Sequence, residues 1–571
     1  MAQPPESPTR APGDPGITAP GRDYSLLAVL VPLWALLAVF VFFPVARLFI
    51  TAFSADDGAF SHQNFAGIWS RAYDRQAMYN SFILGVSVAI AGTFLGFCFA
   101  YLTVRVRINR VLKWTMASLT LLPLTSPPFT SSVALTMALG PNGIILKFLG
   151  VPHLNFYGFW GTWMAETLTY FPVAYLALAA VLISLDHSME DAALSLGSSP
   201  WRVFLTITLP MTTPGLANSM LLLFASSLAD FAAPLVLAGH TFPVLPTQAY
   251  LQITGLYDLK GGAALSILLL IPALAAYLLQ HYWVSRKSYV TITGKSGAST
   301  SVKNMGPTGE WVLIIICLAV SAFIVFLYAI IFTASFVRVF GVNHSFTLEH
   351  FRYVFIYGRK AIIDTLIIAC LATPIGSLLA VVAGYITYRR NFFGNRLLDF
   401  SCMLNYALPG TVVGISYILA FNEKPILLTG TLTILVAAYV SRYFAAGVRA
   451  VVASLHQIDR NIEEASISLG ADGVRTFFRI TLPLVIPAVL TGMRYLFIHS
   501  MTAISATIFL VSVRWTLLTT RILESMTGLQ FAQASAFSVV LIGLVFIGSG
   551  SMAALAHLYG SRLAGRGAFE S

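Results

Sequence analysis

The stretch "EDAALSLGSSPWRVFLTITLP", Glu190–Pro210, is a charged, glycine-broken segment between two long apolar runs, and it returns as "EEASISLGADGVRTFFRITLP", Glu463–Pro483. A constant offset of 273 residues relates Asp191-Ala192-Ala193 to Glu464-Ala465-Ser466, Gly197 to Gly470, and Leu209-Pro210 to Leu482-Pro483. One copy would be ordinary helix text. Two copies with the same long spacing describe a repeated mechanical part. Acidic residues at the start of a short helix suit its dipole, and the small Ala and Ser side chains let another surface approach. Glycine ends or bends the helix at no steric cost. A proline tolerated in a first helical turn makes Leu-Pro the expected opening of the next apolar helix.

Around these copies the chain is 57% hydrophobic and 10% charged, against roughly 25% charged in soluble domains. It reads as an all-α polytopic membrane protein. Runs long enough to cross a bilayer, about 20 residues, fall near 26–52, 79–104, 112–138, 158–185, 208–238 and 262–284. A second set falls near 310–336, 361–388, 398–421, 426–452, 481–512 and 531–558. These make about twelve spans in two sets of six. "NSFILGVSVAIAGTFLGFCFAYLTVR" from Asn80 also aligns without gaps on "DTLIIACLATPIGSLLAVVAGYITYR" from Asp364. Six is even, so the two repeats are parallel.

With the N-terminus inside, the inner segments hold 20 Lys and Arg and the outer loops 11, which places both termini in the cytoplasm. That distribution turns the net charge of +11 into an orientation signal and excludes nucleic acid as the partner. The expected organisation is a disordered cytoplasmic tail at 1–24, a first domain at 25–285 and a cytoplasmic linker at 286–308. A second domain at 309–560 and a C-terminal tail at 561–571 follow. Cys98, Cys317, Cys370 and Cys402 have no metal-ligand spacing and read as small core residues; no metal site is expected.

At this point the sequence resembles a family. The two acid-Ala-Ala/Ser…Gly segments resemble the EAA loops of permease subunits of binding-protein-dependent ABC importers, and the resemblance runs from the first span to the last, as two fused permease domains. It implies the type I ABC importer permease fold in a bacterial inner (plasma) membrane, surrounded by lipid. It also implies two coupling helices seated on two cytoplasmic ATPase subunits, and a periplasmic or extracellular solute-binding protein. The contact residues carried over are Glu190, Asp191, Ala192, Ala193 and Gly197 in the first copy. Glu463, Glu464, Ala465, Ser466 and Gly470 follow in the second, with helix re-entry at Leu209, Pro210, Leu482 and Pro483. Asp191 replaces the usual Glu, with Glu190 beside it, and either acid could face the partner.

The energy source is absent from the chain. "TGKS" at Thr293–Ser296 has Tyr289 where a phosphate-binding loop needs glycine, and no strand precedes it. No GxSxG elbow or zinc-type His/Glu pattern occurs, so the chain is read as a transport subunit without enzymatic activity or a cofactor of its own. ATP and Mg would be used by the partners.

The fused layout and "SYVTITGKSG" after the sixth span resemble the ferric-iron group, which makes ferric iron the first substrate expectation. "MTAISATIFL", Met501–Leu510, stands where that group often carries a Lys-Glu-Leu-Pro-like string. The same importer class acting on aminoethylphosphonate, a sugar phosphate or thiamine is the alternative, and an ion-gradient-driven secondary transporter is the rival from outside it. Ionisable residues within spans default to functional candidates. Glu166, Asp230, Arg494 and His499, with Arg442 less favoured, are the pathway candidates. Helix breaks at Pro128 and Pro409 join them, since an opened backbone is tolerated only where protein or a water-filled cavity covers it. Under the 273 offset Asp230 falls on Ala503 and Ser226 on His499, so the path is expected to be asymmetric. Tyr170 and Tyr443 align and read as packing residues.

Overall fold

The computed structural model describes residues 24–141, 143–151, 155–186, 188–284, 306–390, 392 and 394–567. The expected tail at 1–24 (save Tyr24), almost all of the expected linker at 286–308, and the last four residues lie outside them. Among the described residues eleven helices are long and apolar enough to cross a membrane, and counting the bent pair Asn395–Ala407 and Gly410–Phe421 as one gives twelve. In the first half the spans are Ala28–Ala52, Ala72–Arg105, Phe129–Phe148, Phe159–Ser184, Pro200–Ala229 and Leu259–Leu278. In the second they are Thr308–Phe336, Arg359–Arg389, the bent pair, Leu432–Gln457, Gly473–Thr502 and Phe531–Leu558. The last helix continues to Gly567, into the stretch expected as a tail. One departure from pure helix is an antiparallel hairpin pairing Val337–Val339 with Asn343–Phe346.

The internal repeat is carried into the structure element by element. The fourth and tenth spans, Phe159–Ser184 and Leu432–Gln457, begin and end at positions 273 residues apart. So do Leu209–Ala229 and Leu482–Thr502, and the shorter helices Leu245–Thr254 and Leu518–Thr527.

Small residues set how closely the spans cross. A Cβ at Gly96 of the second span would lie 2.6 Å from the Ala174 Cβ of the fourth. At the matching crossing the roles swap: a Cβ at Gly447 of the tenth span would lie 2.7 Å from the Ala380 Cβ of the eighth. A Cβ at Gly492 of the eleventh span would likewise lie 2.8 Å from the Gly447 Cα. Gly96→Val should therefore overpack this crossing and cost about 1–3 kcal/mol, read as a lower denaturation midpoint in detergent. Gly543→Val, with nothing within 4 Å of its constructed Cβ, should leave the midpoint nearly unchanged.

The halves embrace one another. Leu30, Leu33, Leu37 and Val41 of the first span are buried in a cluster otherwise built largely from the second half, including Tyr417, Phe421 and Tyr439. The Tyr417 hydroxyl donates to the Phe40 carbonyl at 2.7 Å. Reciprocally, Leu313, Ile324, Leu327 and Ile331 of the seventh span enter the main cluster of the first half. Cys98, Cys317 and Cys402 are buried as expected for core residues, but Cys370 is exposed.

Three expected boundaries are corrected. The run at 112–138 is divided into Arg110–Thr125 and Phe129–Leu139, because two successive prolines at 127 and 128 remove two donors and restrict the residue before them. The runs at 208–238 and 481–512 stop as helices at Ala229 and Thr502. In the first, Asp230 turns its carboxylate onto the Ala232 N–H at 2.8 Å and supplants a helical carbonyl. Leu209-Pro210 and Leu482-Pro483 open the α-helices Leu209–Ala229 and Leu482–Thr502 with the proline in the first turn, but not the whole spans. The helical run starts at Pro200 and Gly473 and reaches each Leu-Pro through a π-helical turn, Phe204–Thr208 or Phe477–Thr481. A widened turn is one way to take a proline into a helix without the usual clash with the preceding carbonyl.

Candidate functional site

The twice-written segment folds the same way twice. Asp186 accepts from the Ser188 N–H at 2.9 Å and opens the helix Ser188–Ser195. Asp459 caps Arg460–Ser468 through the Asn461 N–H at 3.0 Å. Gly197 (φ +86°) and Gly470 (φ +89°) then leave the helix in the left-handed region. The Ser198 N–H reaches back to the Ala193 carbonyl, and the Ala471 N–H to the Ser466 carbonyl, each at 3.1 Å. This is the hydrogen bond of a Schellman ending, in which glycine avoids a Cβ penalty. Leu196 and Leu469, just before the glycines, are 87% and 89% exposed.

The two neighbouring acids of each copy differ in burial. Glu190 and Glu463 are buried. Glu190 pairs with Arg105 at 3.2 Å and accepts from the Thr208 hydroxyl at 2.6 Å. Glu463 pairs with Arg389 at 3.3 Å and accepts from Thr481 at 2.8 Å. Glu464 is exposed, in an ion pair with Arg460 at 3.3 Å. Asp191 and Ala193 are half-buried, and Ala192, Ala465, Gly197 and Gly470 are exposed; Ser466 is half-buried against the Thr476 hydroxyl at 2.9 Å. In the second copy the structure thus separates a buried acid from an exposed one; in the first, Asp191 is less buried than Glu190.

A second polar group lies inside the helical bundle. Glu166 is fully buried on the fourth span and accepts from the Ser227 hydroxyl of the fifth. Asp230, also buried, accepts from the Ala232 N–H and lies within electrostatic reach of Tyr170. From the second half, the His499 ring stacks on Tyr495 with centroids 3.9 Å apart and meets Tyr443 at 5.4 Å. His499 Nδ1 lies 3.0 Å from the Tyr495 carbonyl oxygen. Arg442 sits over the Tyr443 ring, 5.6 Å from its centroid, against Gly410 at the Pro409 break, and within electrostatic reach of both Tyr170 and His499.

Of the pathway candidates, Glu166, Asp230, His499 and Pro409 are thereby gathered around elements that meet at Arg442. Pro128 is not in this group: the break it makes is covered by Tyr328 of the seventh span, which contacts the Ser126 hydroxyl. Arg494 is exposed on the eleventh span and has no hydrogen bond or ion pair among the described residues. Arg442, the less favoured candidate, and Tyr170 and Tyr443, read from sequence as packing residues, belong to the cluster. The available signal was divergence at matched positions: Thr169 stands where the second half has Arg442, and Glu166 where it has Tyr439. Among the described residues no three His, Cys, Asp or Glu side chains converge as a metal site.

Comparison with known proteins supplies the family. Residues 75–289 and 372–564 each match the family described as "Binding-protein-dependent transport system inner membrane component". The chain is 34% identical over 532 residues to the "Ferric transport system permease protein FbpB" of Actinobacillus pleuropneumoniae, covering 91% of this chain and 77% of that one. It is 35% identical over 509 residues to the "Putative ferric transport system permease protein FbpB 1" of Haemophilus influenzae, covering 86% and 78%. A shorter similarity, 32% over 203 residues and 34% of this chain, relates it to the "Molybdenum transport system permease protein ModB" of Escherichia coli, 85% of which is covered. With two matched repeats, two inward-anchored short helices and a bundle of membrane-length helices, the chain belongs to the family of inner-membrane permease components of binding-protein-dependent ABC transport systems.

Proposed function

We propose that this chain is the permease of a ferric-iron importer, with its two fused halves, 25–285 and 309–560 joined by 286–308, serving two cytoplasmic ATPase subunits. The observation that carries the proposal is the duplicated short helix ending in a left-handed glycine, set at matched positions in both halves. One symmetric partner on each is what an importer driven by a pair of ATPases needs. Both termini and both short helices are assigned to the cytoplasmic side, as the Lys and Arg distribution favours. A solute-binding protein docks on the opposite face.

The partner-facing surface is assigned to Asp191, Ala192, Leu196 and Gly197 in the first half and Glu464, Ala465, Leu469 and Gly470 in the second. Glu190 and Glu463, held inside, are left out of it. Iron as cargo is supported by the names of the relatives that match most of the chain. It is supported too by the donors on the path: Glu166, Asp230 and Tyr170 offer hard oxygens suited to a hard cation, for brief contacts during passage.

The test is uptake of radiolabelled ferric iron by cells lacking the chain and then resupplied with it, together with its ATPase and binding protein. Restored uptake that stops when the ATPase is inactivated is expected. Uptake of a phosphonate or thiamine in place of iron would reject the cargo and keep the class.

A further inference from the structure

Each second span of a half is pinned at both ends, and the pins repeat. At one end Arg105 and Arg389, the last residues of the helices Ala72–Arg105 and Arg359–Arg389, hold Glu190 and Glu463 of the short helices. The same carboxylates take the hydroxyls of Thr208 and Thr481, 18 residues on in both copies, so the fifth or eleventh span joins each knot. At the other end, the Ser81 hydroxyl accepts from the Leu245 N–H at 2.8 Å, and the Thr365 hydroxyl accepts from the Leu518 N–H at 2.9 Å. Beside them the Asn80 amide donates to the Pro243 carbonyl at 2.9 Å, and Asp364 accepts from the Thr516 N–H at 3.0 Å. These bonds fix the N-termini of Leu245–Thr254 and Leu518–Thr527.

The two short far-end helices differ in setting but share a position beside the partner half's helices. Leu245, Ala249 and Ile253 are buried together with Val412, Ile415 and Leu419 of the bent ninth span. Tyr250 lies between Phe231 and Phe509, with ring centroids 5.0 and 5.7 Å away. The far end of the bundle is thus closed by contacts between halves. Ser81 to Arg105, and Thr365 to Arg389, are the same number of residues apart, about 36 Å of helix at 1.5 Å per residue.

We propose that the second and eighth spans are the rods that carry movement of the short docking helices to the far-end gate helices. Arg105–Glu190–Thr208 and Arg389–Glu463–Thr481 are the couplings at the driven end; Ser81 and Thr365 are the couplings at the gate. All eight are positioning residues. A helix is stiff along its axis, and a buried charge pair costs too much to break in passing, so the docking helix, the rod and the start of the fifth or eleventh span move together. This rests on the ATPase-docking proposal, because without a partner pushing on the short helices there is nothing for a rod to transmit.

The experiment uses the full complex with its ATPase and binding protein. Glu190→Gln with Glu463→Gln should retain the ATPase yet lose stimulation of ATP hydrolysis by loaded binding protein, with uptake down about tenfold or more. Reversing each pair, Arg105→Glu with Glu190→Arg and Arg389→Glu with Glu463→Arg, should restore part of the stimulation. Ser81→Ala with Thr365→Ala, at the far end, should lower uptake per ATP hydrolysed. If the Gln variant does not accumulate, Thr208→Val with Thr481→Val removes only the second bond and should shift the same ratio in the same direction, about threefold. Full stimulation and uptake in the Gln or Val variant that accumulates overturns the proposal. Loss of ATPase retention in the Gln variant also overturns it, since the carboxylates would then belong to the docking face. A wild-type chain that retains no ATPase would instead reject the docking proposal beneath it.

Discussion

Replacing both Gly197 and Gly470 with valine is expected to reduce ATP-driven uptake about tenfold or more while the chain remains inserted. Both glycines sit in the left-handed region, at φ +86° and +89°, and a Cβ at either would meet nothing within 4 Å. Space is therefore not the difficulty. The cost is backbone conformation, about 1–2 kcal/mol per residue for an ordinary L-amino acid and more for a β-branched one. It falls on the turn that presents Leu196 and Leu469 to solvent. The relief available is to unwind that turn, which deforms the docking surface and leaves the spans alone. Asparagine enters the left-handed region far more readily, so Gly197→Asn with Gly470→Asn should keep most of the uptake. Iron uptake measured beside the amount of membrane-inserted chain separates these outcomes. Equal uptake in the valine and asparagine variants would remove the glycines from the mechanism.

The second large effect is expected at Asp230. Its carboxylate accepts from the Ala232 N–H at the point where the fifth span stops being a helix. Asp230→Ala leaves the buried Ala232 N–H without its acceptor, at about 1–3 kcal/mol, and removes an acid from the proposed path. Uptake should fall about tenfold or more, and the denaturation midpoint should fall with it. Asp230→Asn keeps an acceptor oxygen and removes only the charge. If Asp230 contacts a cationic cargo, the Asn variant keeps a near-normal midpoint and still loses most of its uptake. A variant with normal uptake would confine Asp230 to capping the broken helix.

Much of this architecture is legible in the sequence because membrane crossing imposes a crude and reliable rule: every span must be long and apolar. The repeated Glu190–Pro210 and Glu463–Pro483 segments add a register that no hydropathy profile holds. The boundaries that had to be corrected lie where hydropathy is silent. Asp230 ends a helix by hydrogen bonding inside a run that stays apolar on both sides, and Pro210 and Pro483 follow directly on π-turns that continue the helix through them.

The orientation of Glu190 and Asp191 also escaped the sequence, since two adjacent acids on a short helix look alike until Arg105 and Thr208 arrive from distant positions. Arg442 escaped for a related reason. A single arginine in a span suggests snorkelling, and only the fold brings it to the Pro409 break beside Tyr443. The swapped Gly96/Ala174 and Ala380/Gly447 crossings likewise become visible only when two spans are laid against each other.

The most direct test of the central claim is uptake into proteoliposomes that contain this chain, its ATPase subunits and its loaded binding protein. Ferric iron should accumulate only when ATP is present on the side bearing the Ser188–Ser195 and Arg460–Ser468 helices, and should continue after ionophores collapse every ion gradient. Accumulation without ATP that follows an imposed gradient would contradict the account and mark the chain as a secondary transporter.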